Sequence, residues 1–520
     1  MGICALSCNH TIFLSSYGFK LYICGVSWIT YTLILSAFFV YLLRKGNKLL
    51  PGVKTWITAT LFLIKILASF AVWGLYTYYY ADRQYADIWK YFDDSKIIAA
   101  ALPDQPSDYF KMVTGFGNQE DLDERYYTRM NHWHQKFENN LFNDSHTIIR
   151  YNALLMPISG GNYHIHSLVM CILGFIGCTA LFRFFLHFLP EWKNALLVLL
   201  FLLPSFVFWT SGVLKEGLMF LALGIIFEQL FISQRHGLLR LVLIFTAAVI
   251  LAMTKLYLLL ILFIPLVLFV IAQRMQRNSA ILWLSGIGIC ILIAGGLHFA
   301  KSTYDPFRLL INKHNDFLNL SIGGTFMYND SAVVYVDADH HSAIQYTQPG
   351  TCRITGPTPT LYWLHAKGFD DTLKTTHTND TVSYTIMTDY PRAGSLLHEQ
   401  PLHSATDVLL SIPAALNNAT MRPYPWEPRS ALLIPSAAEN LLLYLTLIAA
   451  LLYRKKNTSD LFFFLCWFSI TYLIVAGLTT PVLGALVRYK ITAVPFLFSA
   501  LFMLIDTEQL PARIRRLLTV

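Results

Sequence analysis

Four carboxylates stand among aromatic residues directly after the second long apolar stretch of the chain. The segment 78–95, YYYADRQYADIWKYFDDS, holds Asp82, Asp87, Asp93 and Asp94. Carboxylates at a bilayer surface are costly to desolvate and are seldom present there without a function. On a helix, residues seven apart return to nearly the same face, so Asp87 and Asp94 would share one stripe. Held among aromatic rings, either could have a pKa suited to a general base. The alternative is an interfacial helix whose acids only face water.

A second candidate is the segment 204–216, PSFVFWTSGVLKE, in which two charges follow an apolar run. Lys215 and Glu216 could form an ion pair at the end of a membrane span, or Lys215 could bind a lipid-linked phosphate. The alternative is an ordinary helix N-terminus capped by Ser211, where the helix dipole favours Glu216.

A third candidate is the proline-rich segment 422–429, RPYPWEPR. Its prolines stiffen the chain, and Tyr424 and Trp426 offer flat faces for a sugar ring. The forked guanidinium groups of Arg422 and Arg429 could bind phosphate oxygens. The alternative is an aromatic anchor at the membrane interface, ahead of the span that begins near residue 440.

Three further residues complete the predicted binding set. Arg488 and Tyr489 stand at the outer end of the last apolar stretch, and Arg150 precedes the third apolar stretch. The alternative for Arg488 and Tyr489 is a plain anchor at the membrane interface. No spacing of Cys or His matches a metal site, and short acidic matches such as Asp121 with Asp123 are frequent by chance, so we predict no metal ligand. A divalent cation that bridges an acid and a phosphate stays open as a cofactor.

The composition indicates that membrane helices position these residues. The 520 residues are 55% hydrophobic and only 13% charged, and the mean hydropathy is +0.48. Soluble domains carry about 25% charged residues. We therefore expect an integral membrane protein in the lipid bilayer, and nothing suggests nucleic acid binding. Stretches of about 20 apolar residues predict about eleven spans, near 20–43, 55–80, 166–187, 194–210, 212–232, 238–254, 256–273, 279–299, 437–453, 460–478 and 491–507.

The short basic loops predict the orientation. With eleven spans, all six groups of Lys and Arg between or after spans fall on one side, which should be the cytoplasm. The N-terminus is then extracytoplasmic and the C-terminus cytoplasmic, and the long polar segments 81–165 and 300–436 share the outer face. The formal charge of +8 is explained by this topology.

These boundaries divide the chain into five parts. Spans 1–2 occupy residues 1–80, and the first extracytoplasmic loop, with its acidic helix, occupies residues 81–165. Spans 3–8 occupy residues 166–299, and the second loop occupies residues 300–436. Spans 9–11 and a cytoplasmic tail occupy residues 437–520. β-branched and aromatic residues alternate at 332–337 and 381–386, which predicts strands. The predicted class is an all-α polytopic membrane protein with a small mixed α/β extracytoplasmic loop subdomain.

Short motifs bring a family resemblance. Acids in the first large outer loop, a re-entry at the membrane surface and a late R-Y-x-x-x-x-x-P pattern that begins at Arg488 resemble the GT-C superfamily. Those multi-pass glycosyltransferases use polyprenyl-phosphate-linked sugars. More narrowly, the segments 91–95, 204–216 and 422–427, with Glu439 and Asn440, look like a set of Bacteroidota membrane proteins that have no assigned activity.

The resemblance implies a catalytic base in the first outer loop, either Asp87 or Asp94, with Asp94 slightly preferred. The expected reaction is inverting sugar transfer from a polyprenyl phosphate to an acceptor hydroxyl, on the outer face of the bacterial plasma (inner) membrane. Lys215, Arg422 and Arg488 would stabilise the leaving phosphate. The alternatives are a lipid-linked glycan polymerase or ligase of the O-antigen type, and a non-enzymatic transporter or flippase.

Overall fold

Helices and one small antiparallel sheet make up the structure. The computed structural model describes residues 17–80, 83, 86–117, 119–133, 143–234, 237–274, 280–329, 332–348, 350–355, 358–364, 374–378, 383–390, 392–397, 400–428, 430–455 and 459–518. It is 75% helical.

Helices precede and follow the sheet along the chain. Those before it are α1 (Tyr17–Leu49), α2 (Thr55–Gly74), α3 (Asp87–Ala100), α4 (Pro106–Thr114), α5 (Gln119–Arg125), α6 (Ser145–Ser159), α7 (Tyr163–Phe188), α8 (Lys193–Phe201), α9 (Pro204–Trp209), α10 (Lys215–Phe227), α11 (Leu238–Ala272), α12 (Ala280–Phe299) and α13 (Pro306–Ile322). Those after it are α14 (Ala405–Met421), α15 (Ile434–Leu452), α16 (Asp460–Thr479), α17 (Leu483–Lys490), α18 (Val494–Leu504) and α19 (Ala512–Leu518).

Among the described residues, seven helices are long and apolar enough to cross a membrane. They are α1, α2, α7, α11, α12, α15 and α16, and an eighth span results if α17 and α18, bent by 61°, count as one. These helices indicate a multi-pass membrane protein. The predicted number of about eleven spans is not confirmed.

Two regions account for the difference in number. The predicted spans 194–210 and 212–232 fall in three shorter helices, α8 to α10, and Pro204 begins α9, where its missing N–H costs nothing. The predicted spans 238–254 and 256–273 form α11, a 35-residue helix in which Lys255 alone has non-helical backbone angles. A helix of that length would extend about 52 Å at 1.5 Å per residue. A break near its middle is therefore expected within a core of about 30 Å.

Helix α7 is the most buried of the candidate spans, with 72% of its apolar window covered. It packs closely against α10 through two glycines. A Cβ atom added to Gly177 would overlap the backbone of Phe220 and Leu221, and one added to Gly224 would overlap the backbone of Gly177. Small residues permit such close helix contacts in membranes, and this contact fixes where α10 begins.

The sheet lies within the second polar segment. Its strands are β1 (Gly324–Asn329), β2 (Ala332–Asp337), β3 (Ile344–Gln348), β4 (Thr351–Ile354), β5 (Thr358–Leu364), β6 (Lys374–Thr378) and β7 (Tyr384–Tyr390), in the antiparallel order β3-β4-β7-β1-β2-β5-β6. Val334 and Val336 are buried on one face of β2, as a period of two requires. The predicted strand 332–337 is confirmed, and the one predicted at 381–386 runs instead from Tyr384 to Tyr390.

The first polar segment forms a small helical layer. Helix α3 packs against α6 and buries Ile88, Trp89 and Phe92. The sequence predicted an acidic helix in this segment, and the observed helix runs from Asp87 to Ala100. Helix α14, which follows the sheet, begins with a capping box of Ser404 and Asp407 and packs against α16.

Candidate functional site

The guanidinium group of Arg488 joins two acidic side chains from distant parts of the chain. Its Nη1 donates to Asp87 Oδ2 at 2.6 Å, and its Nε and Nη2 donate to the two carboxylate oxygens of Glu216 at 2.8 and 3.2 Å. Asp87 lies in the first turn of α3, Glu216 in the first turn of α10, and Arg488 in the last turn of α17. The structure thus brings three sequence-predicted residues together. We call them the acid–arginine cluster.

The cluster is buried on one side and open on the other. The side chains of Arg488 and Glu216 are 9% and 2% exposed, whereas that of Asp87 is 32% exposed. The rings of Trp209 and Tyr489 lie 5.6 and 6.0 Å from Arg488 Cζ. Acids in the first turn of a helix are also favoured by the helix dipole. Asp87 is therefore the member of the cluster that a ligand can reach.

Arg488 controls the protonation of Asp87. Burial alone would raise the pKa of Asp87, but the Arg488 guanidinium outweighs it and keeps the pKa of this carboxyl well below its ordinary value. Lys90 Nζ lies 3.9 Å from the other carboxylate oxygen and acts in the same direction. Asp87 is consequently ionised, as a proton acceptor must be.

Asp94 has a different environment, although it follows Asp87 by two helical turns. Its two carboxylate oxygens accept the backbone N–H groups of Asn131 and His132 at 3.0 and 2.8 Å. Only 2% of the residue is exposed. Burial raises the pKa of Asp94 to about 6, against the opposing effect of the two N–H donors. Asp94 fastens the segment around residue 131 to α3.

The neighbouring acids have separate partners. Asp93 binds Arg83 at 2.6 Å and Lys96 at 2.8 Å, so it takes no part in the cluster. Asp82 lies outside the described residues.

Lys215 and Glu216 do not pair with each other. Lys215 Nζ binds Asp144 Oδ1 at 2.5 Å, while Glu216 binds Arg488. The predicted ion pair is wrong because adjacent helical residues point in directions about 100° apart. The predicted Ser211 cap is also wrong: α10 is preceded by Leu214, without a side-chain cap, and Ser211 Oγ donates to a carbonyl oxygen of α9.

Arg422 binds an acid within its own segment. Its Nε donates to Glu427 Oε1 at 2.8 Å, and its Nη2 binds the same carboxylate. The carbonyl oxygen of Arg422 accepts a hydrogen bond from Lys490 Nζ at 3.0 Å, and Lys490 lies two residues after Arg488. This hydrogen bond holds the second polar segment against α17. The guanidinium of Arg422 is not part of the acid–arginine cluster.

The aromatic pair of this segment lies at the surface. Trp426 is 82% exposed, and its ring stacks on that of Tyr424 with the centroids 5.1 Å apart. Such a platform suits a sugar face or an interfacial anchor equally. Arg429 lies outside the described residues.

Arg150 packs inside the first polar segment. Its Nε donates to the carbonyl oxygen of Met112 at 3.0 Å, and its guanidinium lies 5.4 Å from the Trp133 ring. A Cβ atom at Gly115, which has a φ of +78°, would touch the same guanidinium. These contacts give Arg150 a packing role, and its contribution to substrate binding stays a prediction.

Sequence reasoning missed Lys255, which stands at the break in α11. Its buried ammonium lies 4.3 Å from the Tyr489 ring and 5.6 Å from the Tyr257 ring, and it binds the Tyr472 hydroxyl at 3.2 Å. Because Arg488 contacts the same Tyr489 ring, Lys255 adds a second cation behind the cluster. The available signal was the single charge within 241–272, which are otherwise apolar or neutral residues.

His132 is a second residue that sequence reasoning missed. Asp94 binds its N–H, and Asn143 donates to its carbonyl oxygen at 3.1 Å. Its ring lies 6.1 Å from that of Tyr91 on α3. Burial lowers the pKa of His132 to about 4, so the ring is neutral near pH 7.

The cluster has the chemistry of proton transfer beside a cation. It combines an ionised, accessible carboxylate with a fixed guanidinium, and the described residues contain no group of three or more His, Cys, Asp or Glu side chains that could hold a metal ion. Comparison of the chain with protein-family models, with curated proteins and with solved structures finds no match.

Proposed function

We propose that this protein is a membrane glycosyltransferase of the GT-C type, which transfers a sugar from a polyprenyl phosphate to an acceptor hydroxyl on the extracytoplasmic face of the bacterial plasma membrane. One observation carries the proposal: Arg488 places a buried cation against the accessible carboxylate of Asp87. Inverting sugar transfer needs a base for the acceptor and a cation for the leaving phosphate.

The two groups are in direct contact, so the bound sugar must separate them, with Asp87 toward the acceptor and Arg488 toward the phosphate. Asp87 takes the proton of the acceptor hydroxyl while the acceptor oxygen forms the new bond to the anomeric carbon. The bond between the carbon and the phosphate oxygen breaks, and the electron pair leaves with the phosphate. Arg488 stabilises the negative charge that develops there, which is where a preorganised cation contributes most.

Asp87 is a better base than Asp94 in this geometry. Both oxygens of Asp94 already accept backbone hydrogen bonds, and the residue is buried. A base must lie within about 3 Å of the proton that it removes, and Asp87 is open to a ligand. Asp94 serves the site by holding His132 in place.

Donor binding would also activate the base. Arg488 lowers the pKa of Asp87 and so weakens it as a proton acceptor. A phosphate that takes the place of the Asp87 carboxylate at Nη1 would raise that pKa, whereas the two bonds from Arg488 to Glu216 would keep the guanidinium in position. The base would gain strength only when the donor is present.

Contacts at α17 support the proposed arrangement of the polar segments. The first segment reaches this helix through Asp87 and Arg488, and the second through the Arg422 carbonyl and Lys490. Two segments bound to one short helix belong on the same side of a membrane, which favours a common outer face. This placement, and a count of eleven spans, remain part of the proposal.

A transporter or flippase for an anionic lipid is the second candidate. Such a protein needs polar groups inside several spans, and Lys65 on α2 and Lys255 on α11 are buried in candidate spans. Lys65 binds the carbonyl and hydroxyl oxygens of Thr210 at 2.8 and 2.6 Å, which is a sufficient structural role. Lys255 therefore favours this candidate more than Lys65 does.

A reconstituted assay separates the two. The full-length protein in nanodiscs is mixed with polyprenyl-phosphate-linked hexoses and pentoses labelled in the sugar, together with a membrane glycan extract as acceptor, and the release of free polyprenyl phosphate is measured. We expect release by the wild type and a loss of roughly 10²–10⁴-fold in Asp87→Asn. Asp104→Asn, an exposed acid of the same polar segment, is the matched control and should keep full activity.

Two results would overturn the proposal. One is release by Asp87→Asn at the wild-type rate. The other is an absence of release with every donor, combined with protein-dependent movement of the labelled lipid across sealed liposomes, which would establish the transporter.

A further inference from the structure

Helix α19 is amphipathic and lies at the surface of the protein. Arg513, Arg515 and Arg516 are exposed, and Ile514 and Leu517 are 45% and 74% exposed. Residues three apart share a face of a helix, so Ile514 and Leu517 form an apolar edge, and Arg513 and Arg516 form a basic edge beside it. Helices that lie in the plane of a membrane surface have this division between apolar and basic residues.

Helix α19 is held against the rest of the protein. The amide Nδ2 of Asn194, in the first turn of α8, donates to the carbonyl oxygen of Leu517 at 3.2 Å. The neighbouring Leu518 packs against the main hydrophobic core. The position of α19 is therefore fixed, while its arginines stay exposed.

Other basic segments meet at the same place. A Cβ atom added to Gly52, between α1 and α2, would lie 3.7 Å from Nζ of Lys193, the first residue of α8. The backbone N–H of Lys455, which follows α15, donates to the carbonyl oxygen of Leu504 at the end of α18, at 2.7 Å. We call the cations of these segments the basic face: Lys45, Lys48, Lys54, Lys193, Arg454, Lys455, Arg513, Arg515 and Arg516.

The basic face carries a net positive charge. The acids of the same segments are Glu191, Asp506 and Glu508. Glu191 accepts a hydrogen bond from the Thr507 hydroxyl at 3.2 Å, and Asp506 accepts one from the Gln509 amide at 2.8 Å. Because the cations outnumber these acids, the face attracts anions.

The basic face and the acid–arginine cluster lie at opposite ends of the helices that join them. Helix α2, a candidate span, begins directly after Lys54 and leads to α3, which carries Asp87. Helix α18 follows α17, which carries Arg488, and leads back to α19. The cations therefore stand where α2 meets the surface of the bilayer, at the level of the lipid headgroups.

We propose that the basic face binds anionic phospholipids of the bilayer. The headgroup phosphates accept hydrogen bonds from the arginines of α19, and the acyl chains lie against Ile514 and Leu517. A guanidinium group suits this role because its forked N–H groups match two phosphate oxygens. A water-soluble acidic partner would match the charges but would leave the apolar edge without an apolar neighbour. This binding surface is separate from the proposed site of sugar transfer.

Hydrogen–deuterium exchange of the full-length protein in nanodiscs tests the proposal. One set of nanodiscs contains dioleoyl phosphatidylcholine alone, and the other contains equal parts of dioleoyl phosphatidylcholine and dioleoyl phosphatidylglycerol. Each arginine near an anionic surface contributes about fivefold to the affinity. We therefore expect the amides of α19 to exchange at least about tenfold more slowly in the anionic nanodiscs. The difference should shrink between about 0.1 M and about 1 M salt, because the Debye length falls from about 10 Å to about 3 Å.

Two variants assign the effect to the arginines. Arg513→Gln, Arg515→Gln and Arg516→Gln combined in one chain should remove the difference between the nanodiscs. The matched control replaces three exposed arginines of the polar segments by Gln and should keep the difference; they are Arg129, Arg308 and Arg353.

Three results would overturn the proposal. The first is equal exchange of α19 in both kinds of nanodisc, whether fast or slow. The second is a lipid dependence that persists in the triple variant of α19, and the third is its loss in the control. Because the readout is the protection of α19, the result is independent of whether the protein transfers sugars.

Discussion

Replacing Arg488 by Gln should destabilise the protein through the charges that it leaves behind. Glu216, almost fully buried, would lose its only ion-pair partner among the described residues. Removing one member of a buried pair costs about 3–5 kcal/mol. Asp87 is partly hydrated and can recover some solvation, so its share is at most about 1 kcal/mol. We expect a total loss of about 3–5 kcal/mol, most of it from Glu216.

A second substitution separates charge from packing. In Arg488→Gln combined with Glu216→Gln, the unpaired buried carboxylate is gone, and we expect most of the lost stability to return. Arg183→Gln is the matched control, since Arg183 binds Glu228 at 2.8 Å with side chains that are 15% and 26% exposed. Its greater hydration predicts a smaller loss, about 1–2 kcal/mol.

Denaturation of the full-length protein in mixed micelles, followed by circular dichroism, gives the four free energies of unfolding. The expected order of stability is wild type, then Arg183→Gln and the double variant, and last Arg488→Gln. If Arg488→Gln unfolded at the wild-type denaturant concentration, or if the double variant were less stable than Arg488→Gln, the buried ion pair would not be as described. Sugar-transfer activity should be absent from both Arg488 variants and present in Arg183→Gln.

Three further predictions concern neighbouring contacts. The raised pKa of Asp94 means that the folded protein binds more protons than the unfolded chain between about pH 4 and 6. The contribution of Asp94 to the free energy of unfolding should therefore fall by up to about 3 kcal/mol as the pH rises through this interval. Asp94→Asn should remove this pH dependence when unfolding is measured at about pH 4 and at about pH 6. Gly177→Ala should cost about 1–3 kcal/mol by overpacking α7 against α10, whereas Gly288→Ala, with open space at its Cβ position, should not. Lys215→Met should remove the ammonium partner of Asp144 and lower the free energy of unfolding in denaturant by about 1 kcal/mol.

The sequence was informative where one property repeats along the chain. Long apolar runs indicate membrane helices, and alternation at 332–337 predicted β2 correctly, because burial on one face imposes a period of two. The number of spans was harder to predict from the sequence. Apolar composition alone does not decide whether a stretch such as 238–273 forms one interrupted helix or two.

The members of the site were easier to predict than their partners. Asp87, Glu216 and Arg488 were each recognised as charges out of place in an apolar chain, but no spacing rule relates residues in α3, α10 and α17. The interpretation of Lys215 with Glu216 failed because sequence neighbours on a helix do not face each other. Lys490 gained importance only when packing placed its ammonium against the carbonyl oxygen of Arg422.

The bond between Asp87 and Arg488 spans 401 positions of the chain, and this has a consequence for biosynthesis. Translation at about 5–20 residues per second separates the emergence of the two residues by roughly 20–80 s. Until Arg488 emerges, Asp87 and later Glu216 have no guanidinium partner, so both carboxylates must stay hydrated. The acid–arginine cluster can therefore close only after the last helices have been made.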